Sequence, residues 1–225
     1  MAENERDAIR QRMQAEKRAK EERYHQLNQT ALKGQVLFAG SSLMEQFPIE
    51  RFVQDYALPF HVYNRGIGGL IIPELESALE ACVLELQPRR MFINIGTNDL
   101  TDPDITTEQV ILDYEALLDR VLAALPRLEI FLMAYYPVNP DAAPNEGMRR
   151  ALQIRSNERI NQANAMVREM ARRRGFRYID VNDTLKDEHG RLRAEYTAEG
   201  MHIRPEGYRT LMPALLPWIT APWEA

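Results

Sequence analysis

Residues 36–44, VLFAGSSLM, join a run of four apolar residues to a Gly-Ser-Ser turn. An apolar run without alternating polar residues is typical of a strand that is covered on both faces, as in a parallel sheet. Residues 91–95 and 130–134 form similar runs, and residues 60–63 and 176–181 form weaker ones. The sequence therefore predicts five buried strands.

Helical periodicity fills the segments between these runs. Thr106 and Gln109 have capping-box spacing, and the stretch that follows them carries apolar residues on one face. Ser156 can cap a later helix that Gly175 would end. Alternation of strands and helices from Gly34 onward favours an α/β protein, a three-layer α/β/α domain with a parallel sheet and right-handed crossovers.

The N-terminal segment has a different character. Of the first 23 residues, 13 are Asp, Glu, Lys or Arg, and none is Gly or Pro. Residues 3–32 are predicted to form a solvated helix that lies on the domain or on a second subunit and takes no part in catalysis. The chain then divides into a charged helical extension, 1–33, and a domain, 34–225. The helix would serve packing or self-association, with a homodimer as the favoured form.

The overall composition excludes several classes of protein. With 225 residues, 45% of them hydrophobic and 27% charged, the chain is expected to be globular, and a net charge of −5 favours neither nucleic acid nor an anionic membrane as partner. The single cysteine, Cys82, lies in an apolar-periodic stretch and is predicted to be a buried thiol. No signal-peptide core opens the sequence, and no apolar run approaches the roughly 18 residues of a membrane span. We therefore expect a cytoplasmic protein.

Two candidate site segments contain serine or glycine. In Gly40-Ser41-Ser42, a serine at a strand-to-helix turn lies near free helix amides that favour negative charge, although both serines could equally be helix caps. Residues 64–69, NRGIGG, allow close approach of the backbone to another group. A nucleotide-binding G-x-G-x-x-G turn is not met, because Ile71 occupies the last position, and a plain tight turn remains the alternative.

Two further segments contribute an amide and an imidazole. Asn98, in the GTND sequence of residues 96–99, can donate a hydrogen bond into a site without adding charge, although Asn and Asp also form caps and turns. His202 follows the carboxylate of Glu199 by three residues, as histidine orientation in a triad would require. Metal ligation by Glu-x-x-His is the weaker alternative, because Gly200 interrupts it and only one copy exists. Surface or core positions account more simply for the other histidines: His25, His61 and His189.

Residues 137–155 form the longest predicted irregular segment. The segment contains Pro137, Pro140, Pro144 and Gly147 and follows a predicted strand. Open α/β sheets place their sites at the carboxyl ends of strands, and loops this long are often functional. We expect this segment to border the mouth of the site and to influence which substrate is accepted.

Taken in order, the four candidate segments resemble the sequence blocks of SGNH (GDSL-type) hydrolases, from about residue 36 to residue 208. Within that superfamily they look most like bacterial relatives of the platelet-activating-factor acetylhydrolase catalytic subunit. The resemblance implies a flavodoxin-like fold whose five-stranded parallel sheet has the order 2-1-3-4-5. It also implies that Ser42 is the nucleophile and His202 the base, with an oxyanion hole formed by the amides of Ser42 and Gly69 and the side chain of Asn98.

The chain departs from the family pattern at two positions. Ser41 stands where the family has the aspartate of GDS, and Glu199 stands where it has the triad aspartate. The glutamate is one methylene longer, so a backbone carbonyl could orient His202 in its place. Ser-His-Glu triads do work on other scaffolds.

The resulting expectation is a serine esterase that hydrolyses short-chain, acetyl-type esters through an acyl-enzyme, with Glu199 completing the catalytic site. Its partner would be a small-molecule ester, and the chemistry would need no metal or organic cofactor. Two alternatives stay open. One is a catalytically inactive relative that keeps the fold as an interaction module, and the weaker one is a flavodoxin-like nucleotide-binding protein.

Overall fold

The computed structural model describes residues 3–222, so the first two residues of the predicted extension and the last three of the predicted domain lie outside it. Its strands are β1 (Val36–Gly40), β2 (Val62–Asn64), β3 (Arg90–Asn94), β4 (Glu129–Met133) and β5 (Arg177–Ile179). All neighbouring strands are parallel, and their spatial order is β2-β1-β3-β4-β5. The predicted sheet and its order are confirmed.

Helices follow the strands in the chain order expected of a doubly wound α/β domain. The α-helices of the described residues are α1 (Glu3–Asn28), α2 (Ser42–Glu45), α3 (Ile49–Asp55), α4 (Ile72–Ser77), α5 (Leu79–Cys82), α6 (Thr107–Ala124), α7 (Glu146–Ile154), α8 (Asn157–Arg174) and α9 (Pro205–Thr220). Short 3-10 helices cover Leu84–Leu86, Asp99–Thr101, Pro140–Ala142, Asn182–Leu185 and Ala194–Tyr196. Within the described range, no helix combines the length and hydropathy needed to cross a bilayer.

Two hydrophobic cores lie on opposite faces of the sheet. Alternate residues of β1 enter different cores: Leu37 packs with residues of α4, α5, α6 and α8, and Phe38 packs with residues of α2, α3 and α9. The three predicted layers are therefore confirmed. Cys82 is buried in the first core as predicted, and burial raises the pKa of its thiol to about 12.

The structure confirms the predicted starts of α6 and α8, where a side-chain hydrogen bond caps each helix. Thr106 Oγ1 accepts from the Gln109 amide at 3.1 Å ahead of α6, and Ser156 Oγ accepts from the Arg159 amide at 3.2 Å ahead of α8. Gly175 ends α8 with a φ of 72°, in the left-handed region that glycine adopts most readily.

Residues 137–155 are not irregular throughout, so that prediction was wrong in part. The segment contains the nine-residue helix α7. Asn145 begins this helix, because its Oδ1 accepts from the Met148 amide at 2.9 Å. Prolines at 137, 140 and 144 all precede α7 and therefore do not interrupt it.

Helix α1 lies on the domain and contacts it through polar groups. Lys17 Nζ forms a 2.6 Å ion pair with Glu74, and Lys20 pairs with Glu45 of α2. Tyr24 donates its hydroxyl proton to the Gly66 carbonyl at 2.7 Å. These contacts attach α1 to the residue 64–69 turn as well as to helices α2 and α4.

Apolar residues contribute little to this attachment. Ile9, Met13 and Leu27 remain exposed, between 44% and 48% of each residue's reference surface, whereas Tyr24 packs against the core. These exposures agree with the prediction of a solvated helix. The homodimer and the boundary at residue 33 stay predictions.

We expect the attachment of α1 to weaken as pH rises, because His25 Nδ1 lies 2.6 Å from Glu85. That hydrogen bond raises the pKa of His25 above its ordinary 6.5. A folded-state pKa above the unfolded value gives stability that is complete below about pH 6.5 and is lost as pH rises through the folded pKa. His25→Gln should therefore lower the thermal midpoint more at pH 6 than at pH 8.5. An equal shift at both pH values would contradict a role for the charge.

Candidate active site

The carboxyl edge of the sheet gathers the candidate site residues. Ser42 follows β1, the residue 64–69 turn follows β2, and Asn98 follows β3. His202 reaches the same edge from the loop before α9, where its Nε2 lies 2.9 Å from Ser42 Oγ. This is the edge at which open α/β sheets place ligands, because parallel strands end together there.

Ser42 is positioned by the turn that ends β1. Gly40 has a φ of 147°, and a Cβ atom there would lie only 2.1 Å from the Asn94 carbonyl oxygen, so a larger residue would not fit. Ser42 is the first residue of α2, and Ser41 occupies the capping position without making a capping hydrogen bond. The Ser41 hydroxyl is buried and unpartnered in the described structure, so the alternative of Ser41 as a side-chain cap is not supported.

His202 is held between Ser42 and Glu199. Its Nδ1 contacts Glu199 Oε1 in a short hydrogen bond, and its Nε2 faces the serine hydroxyl. Glu199 also accepts the amide of Met201 at 2.8 Å and that of His202 at 3.0 Å. The longer side chain therefore folds back on its own loop, and the carboxylate reaches the imidazole.

The charge of Glu199 is stabilised by these donors. Partial burial alone would raise the pKa of the carboxyl, but hydrogen bonds from the His202 imidazole and from the Met201 and His202 amides lower it to about 2. An ionised carboxylate beside Nδ1 favours the tautomer whose Nε2 can accept a proton.

The residue 64–69 turn lies beside Ser42 and α2. A Cβ atom at Gly66 would lie 2.4 Å from the Glu45 backbone nitrogen, so only glycine lets the turn come this close to α2. A Cβ atom at Gly68 would lie 3.7 Å from Ser42 Cβ, at ordinary contact distance. Gly69 has a φ of 75°, a left-handed conformation that glycine adopts without strain. The same turn is covered from outside by α1, since a Cβ atom at Gly69 would lie 3.4 Å from Lys17 Cε and 3.8 Å from Met13 Cε.

Asn98 lies beside this turn. Its Nδ2 donates to the Leu70 carbonyl at 2.9 Å, which ties the end of β3 to the glycine turn. The neighbouring Asp99 is buried and accepts the Ile72 amide at 3.1 Å, so it anchors the start of α4. This agrees with the alternative that Asn and Asp in this segment form caps and turns. Burial raises the pKa of Asp99 to about 6.

Sequence reasoning missed Arg155 as a residue of this region. The guanidinium of Arg155 reaches back from the end of α7 to Asn98 Oδ1 at 2.8 Å and to Met201 Sδ at 2.8 Å. The segment that contains it was expected to border the site, and its contacts with Asn98 and with the 197–202 loop are close. No spacing or motif marks this one arginine among the other basic residues of the sequence.

The remaining histidines lie elsewhere. His25 pairs with Glu85, His61 lies beside the Tyr63 ring, and exposed His189 lies 3.5 Å from Glu188. Among the side chains that the structure describes, no group of three or more His, Cys, Asp or Glu residues is placed to hold a metal ion.

This doubly wound sheet, with a serine, an imidazole and a carboxylate in contact at its carboxyl edge, has the architecture of a serine hydrolase of the α/β/α class. The family comparison is more specific. The GDSL-like lipase/acylhydrolase family matches residues 40–210, and the chain belongs to this family. It is therefore a member of a family of hydrolases that act on ester bonds, and the resemblance to SGNH hydrolases is confirmed.

Solved structures share the fold. A Streptococcus pneumoniae protein described as a platelet activating factor is 27% identical, with a TM-score of 0.84 over 97% of this chain and 100% of that one. A catalytic mutant of an acetylxylan esterase from Geobacillus stearothermophilus is 17% identical, with a TM-score of 0.63 over 87% and 98%.

One curated relative is much longer than this chain. The N-acylneuraminate cytidylyltransferase of Escherichia coli O18:K1:H7 is 25% identical over 178 residues, which are 78% of this chain. The matched region spans only 38% of that protein.

Proposed function

We propose that the chain is a serine esterase that hydrolyses short-chain, acetyl-type carboxylic esters through an acyl-enzyme. The observation that carries this proposal is the continuous contact from Ser42 Oγ through the His202 ring to Glu199. These three residues lie at the carboxyl edge of the sheet, in a chain whose family acts on ester bonds.

The proposed first step forms the acyl-enzyme. His202 Nε2 takes the Ser42 proton while Oγ attacks the ester carbonyl carbon, and the imidazolium then returns that proton to the departing alkoxide. Water, activated by the same imidazole, attacks the acyl-serine and releases the acid. At 2.9 Å, Nε2 and Oγ are within the range that proton transfer requires.

Three donors are proposed to stabilise the tetrahedral oxyanion: the amides of Ser42 and Gly69 and the side-chain Nδ2 of Asn98. Two observations support this assignment: a Cβ atom at Gly68 would lie 3.7 Å from Ser42 Cβ, and Asn98 Nδ2 donates to the carbonyl of Leu70, directly after the glycine turn. Fixed donors of this kind stabilise charge that develops only in the transition state.

The preference for short acyl groups is supported by what covers the glycine turn. Lys17 and Met13 of α1 lie over Gly69, which limits the space beside the proposed oxyanion hole. One protein with the same fold is an acetylxylan esterase. We therefore propose acetyl esters of sugars or small alcohols as the substrate class.

Two measurements test this proposal. A panel of p-nitrophenyl esters from acetyl to long acyl, together with acetylated sugars, should show highest kcat/KM for acetyl esters. A fluorophosphonate probe should label the wild-type protein at Ser42. Absence of both labelling and turnover would favour the inactive interaction module.

Glu199→Gln should lower kcat by about 10- to 10³-fold, while Glu199→Asp should keep at least about a tenth of the activity. The amide can fill the same position, but it cannot stabilise imidazolium and can favour the wrong tautomer. The comparable carboxylate-to-amide change in the serine-protease triad costs about 10⁴ in kcat. Steady-state kinetics on p-nitrophenyl acetate measure the difference. Near-normal kcat in the Gln, Asp and Ala variants would leave a Ser42–His202 dyad.

A further inference from the structure

Arg155 is a buried cation behind the candidate site. Only 5% of its reference surface is exposed. Its Nη2 donates to Asn98 Oδ1 at 2.8 Å, and its Nε donates to Thr101 Oγ1 at 3.0 Å. Its Nη1 lies 2.8 Å from Met201 Sδ, in the loop that carries His202. The Arg155 side chain thus contacts both Asn98 and the loop that carries His202.

No carboxylate compensates this charge directly. Within residues 7–222, no Asp or Glu oxygen lies within ion-pairing distance of the Arg155 guanidinium, although Asp99 and Glu199 are near enough to favour its charged form. Burial lowers the pKa of Arg155, to about 10, so the group still carries its positive charge at neutral pH. A buried charge without an ion-pair partner is costly, which suggests that its position serves the site.

The contacts of Arg155 determine which way the Asn98 amide points. An arginine can only donate hydrogen bonds, and a carbonyl can only accept them. Because Arg155 faces one atom of the amide and the Leu70 carbonyl faces the other, Oδ1 must lie toward Arg155 and Nδ2 toward Leu70. Nδ2 keeps a second N–H, for which the described residues supply no acceptor.

We propose that Arg155 is a positioning residue that fixes the Asn98 amide with its free N–H available to the oxyanion and keeps a positive charge behind it. This inference rests on the proposed function, in which Asn98 is an oxyanion donor. A donated hydrogen bond to Oδ1 polarises the amide, so Nδ2–H becomes a stronger donor. The charge also acts through a partly buried region, where electrostatic interactions are less screened than in water.

The test compares Arg155→Met and Arg155→Lys with Arg159→Met. Arg159 is a matched control, because it anchors the same 98–105 segment from α8 but its guanidinium donates only to the backbone carbonyls of Leu100, Asp102 and Ile105. Each variant is titrated with a fluorophosphonate, so that kcat on p-nitrophenyl acetate refers to correctly folded sites. Thermal midpoints are recorded alongside.

Arg155→Met should lower kcat per titrated site by about 10- to 100-fold with KM changed less than about threefold, the scale expected when a residue that orients a site group is lost. Arg155→Lys should recover part of this loss, because it restores the charge but cannot reach all three acceptors. Arg159→Met should lower the thermal midpoint and leave kcat per titrated site unchanged.

The double mutant Asn98→Ala/Arg155→Met tests whether Arg155 acts through Asn98 or disturbs the site as a whole. In the Asn98→Ala background, Arg155→Met should cost less than about threefold more, since residues that act as a unit are not additive. Losses that multiply, or a normal kcat per site in Arg155→Met, would overturn the inference while leaving the esterase proposal intact. A wild-type protein with no turnover and no labelling would instead overturn the proposed function and this inference with it.

Discussion

Replacing Ser42 by alanine is expected to abolish turnover of p-nitrophenyl acetate and labelling by fluorophosphonates. The hydroxyl is the atom that faces His202 Nε2, and alanine leaves no nucleophile at that position. Loss of a catalytic nucleophile lowers kcat by about 10⁶ in serine hydrolases. The residual rate of the variant should therefore fall to the background of the assay.

Ser41→Ala is the matched control for this experiment. The two serines are adjacent, but the Ser41 hydroxyl is buried without a hydrogen-bond partner. Removing an unsatisfied buried hydroxyl should leave most of the activity and should not lower the thermal midpoint. If Ser41→Ala is the inactive variant and Ser42→Ala is not, the assignment of the nucleophile is wrong by one residue.

Asn98→Ala is expected to lower kcat by about 10² to 10³, the usual cost of one oxyanion-hole donor. Its amide is tied to the end of the glycine turn through the hydrogen bond to the Leu70 carbonyl. KM should change much less than kcat, because the donor matters most when the carbonyl oxygen becomes negatively charged. Steady-state kinetics with p-nitrophenyl acetate give both values.

Asn164→Ala provides a comparison for the structural part of this effect. Asn164 is also held by hydrogen bonds at both amide atoms, but both partners are backbone groups of Tyr135. We expect Asn164→Ala to lower the thermal midpoint without a specific loss of kcat. Equal kcat in Asn98→Ala and wild type would remove Asn98 from the proposed mechanism.

The sheet and the order of the candidate segments could be predicted because their signals are local. An apolar run at 36–39 or 91–95 reports burial on both faces, whatever the rest of the chain does. Polar residues directly after such runs must lie at the carboxyl edge of a parallel sheet. The weaker runs became the edge strands β2 and β5, which are three residues long and pair with one neighbour each.

Other features depend on contacts between distant residues and could not be predicted. Arg155 lies 57 residues from Asn98 in the chain, and nothing in its local sequence indicates that partner. Helix α7 was missed because the prolines before it dominated the interpretation of the segment. The charged residues of α1 indicate a solvated helix. The ion pairs of Lys17 and Lys20 with the domain, in contrast, follow only from the tertiary structure.

The distance along the chain between Ser42 and His202 has a consequence for biosynthesis. The two residues are 160 positions apart, and the loop of His202 is fixed partly by Tyr208, whose hydroxyl donates to the Leu43 carbonyl at 2.6 Å. At translation rates of about 5 to 20 residues per second, His202 is added roughly 8 to 30 s after Ser42. Under the proposed mechanism, a nascent chain, or one that ends prematurely before residue 202, carries the serine without its proposed base and should be inert toward esters.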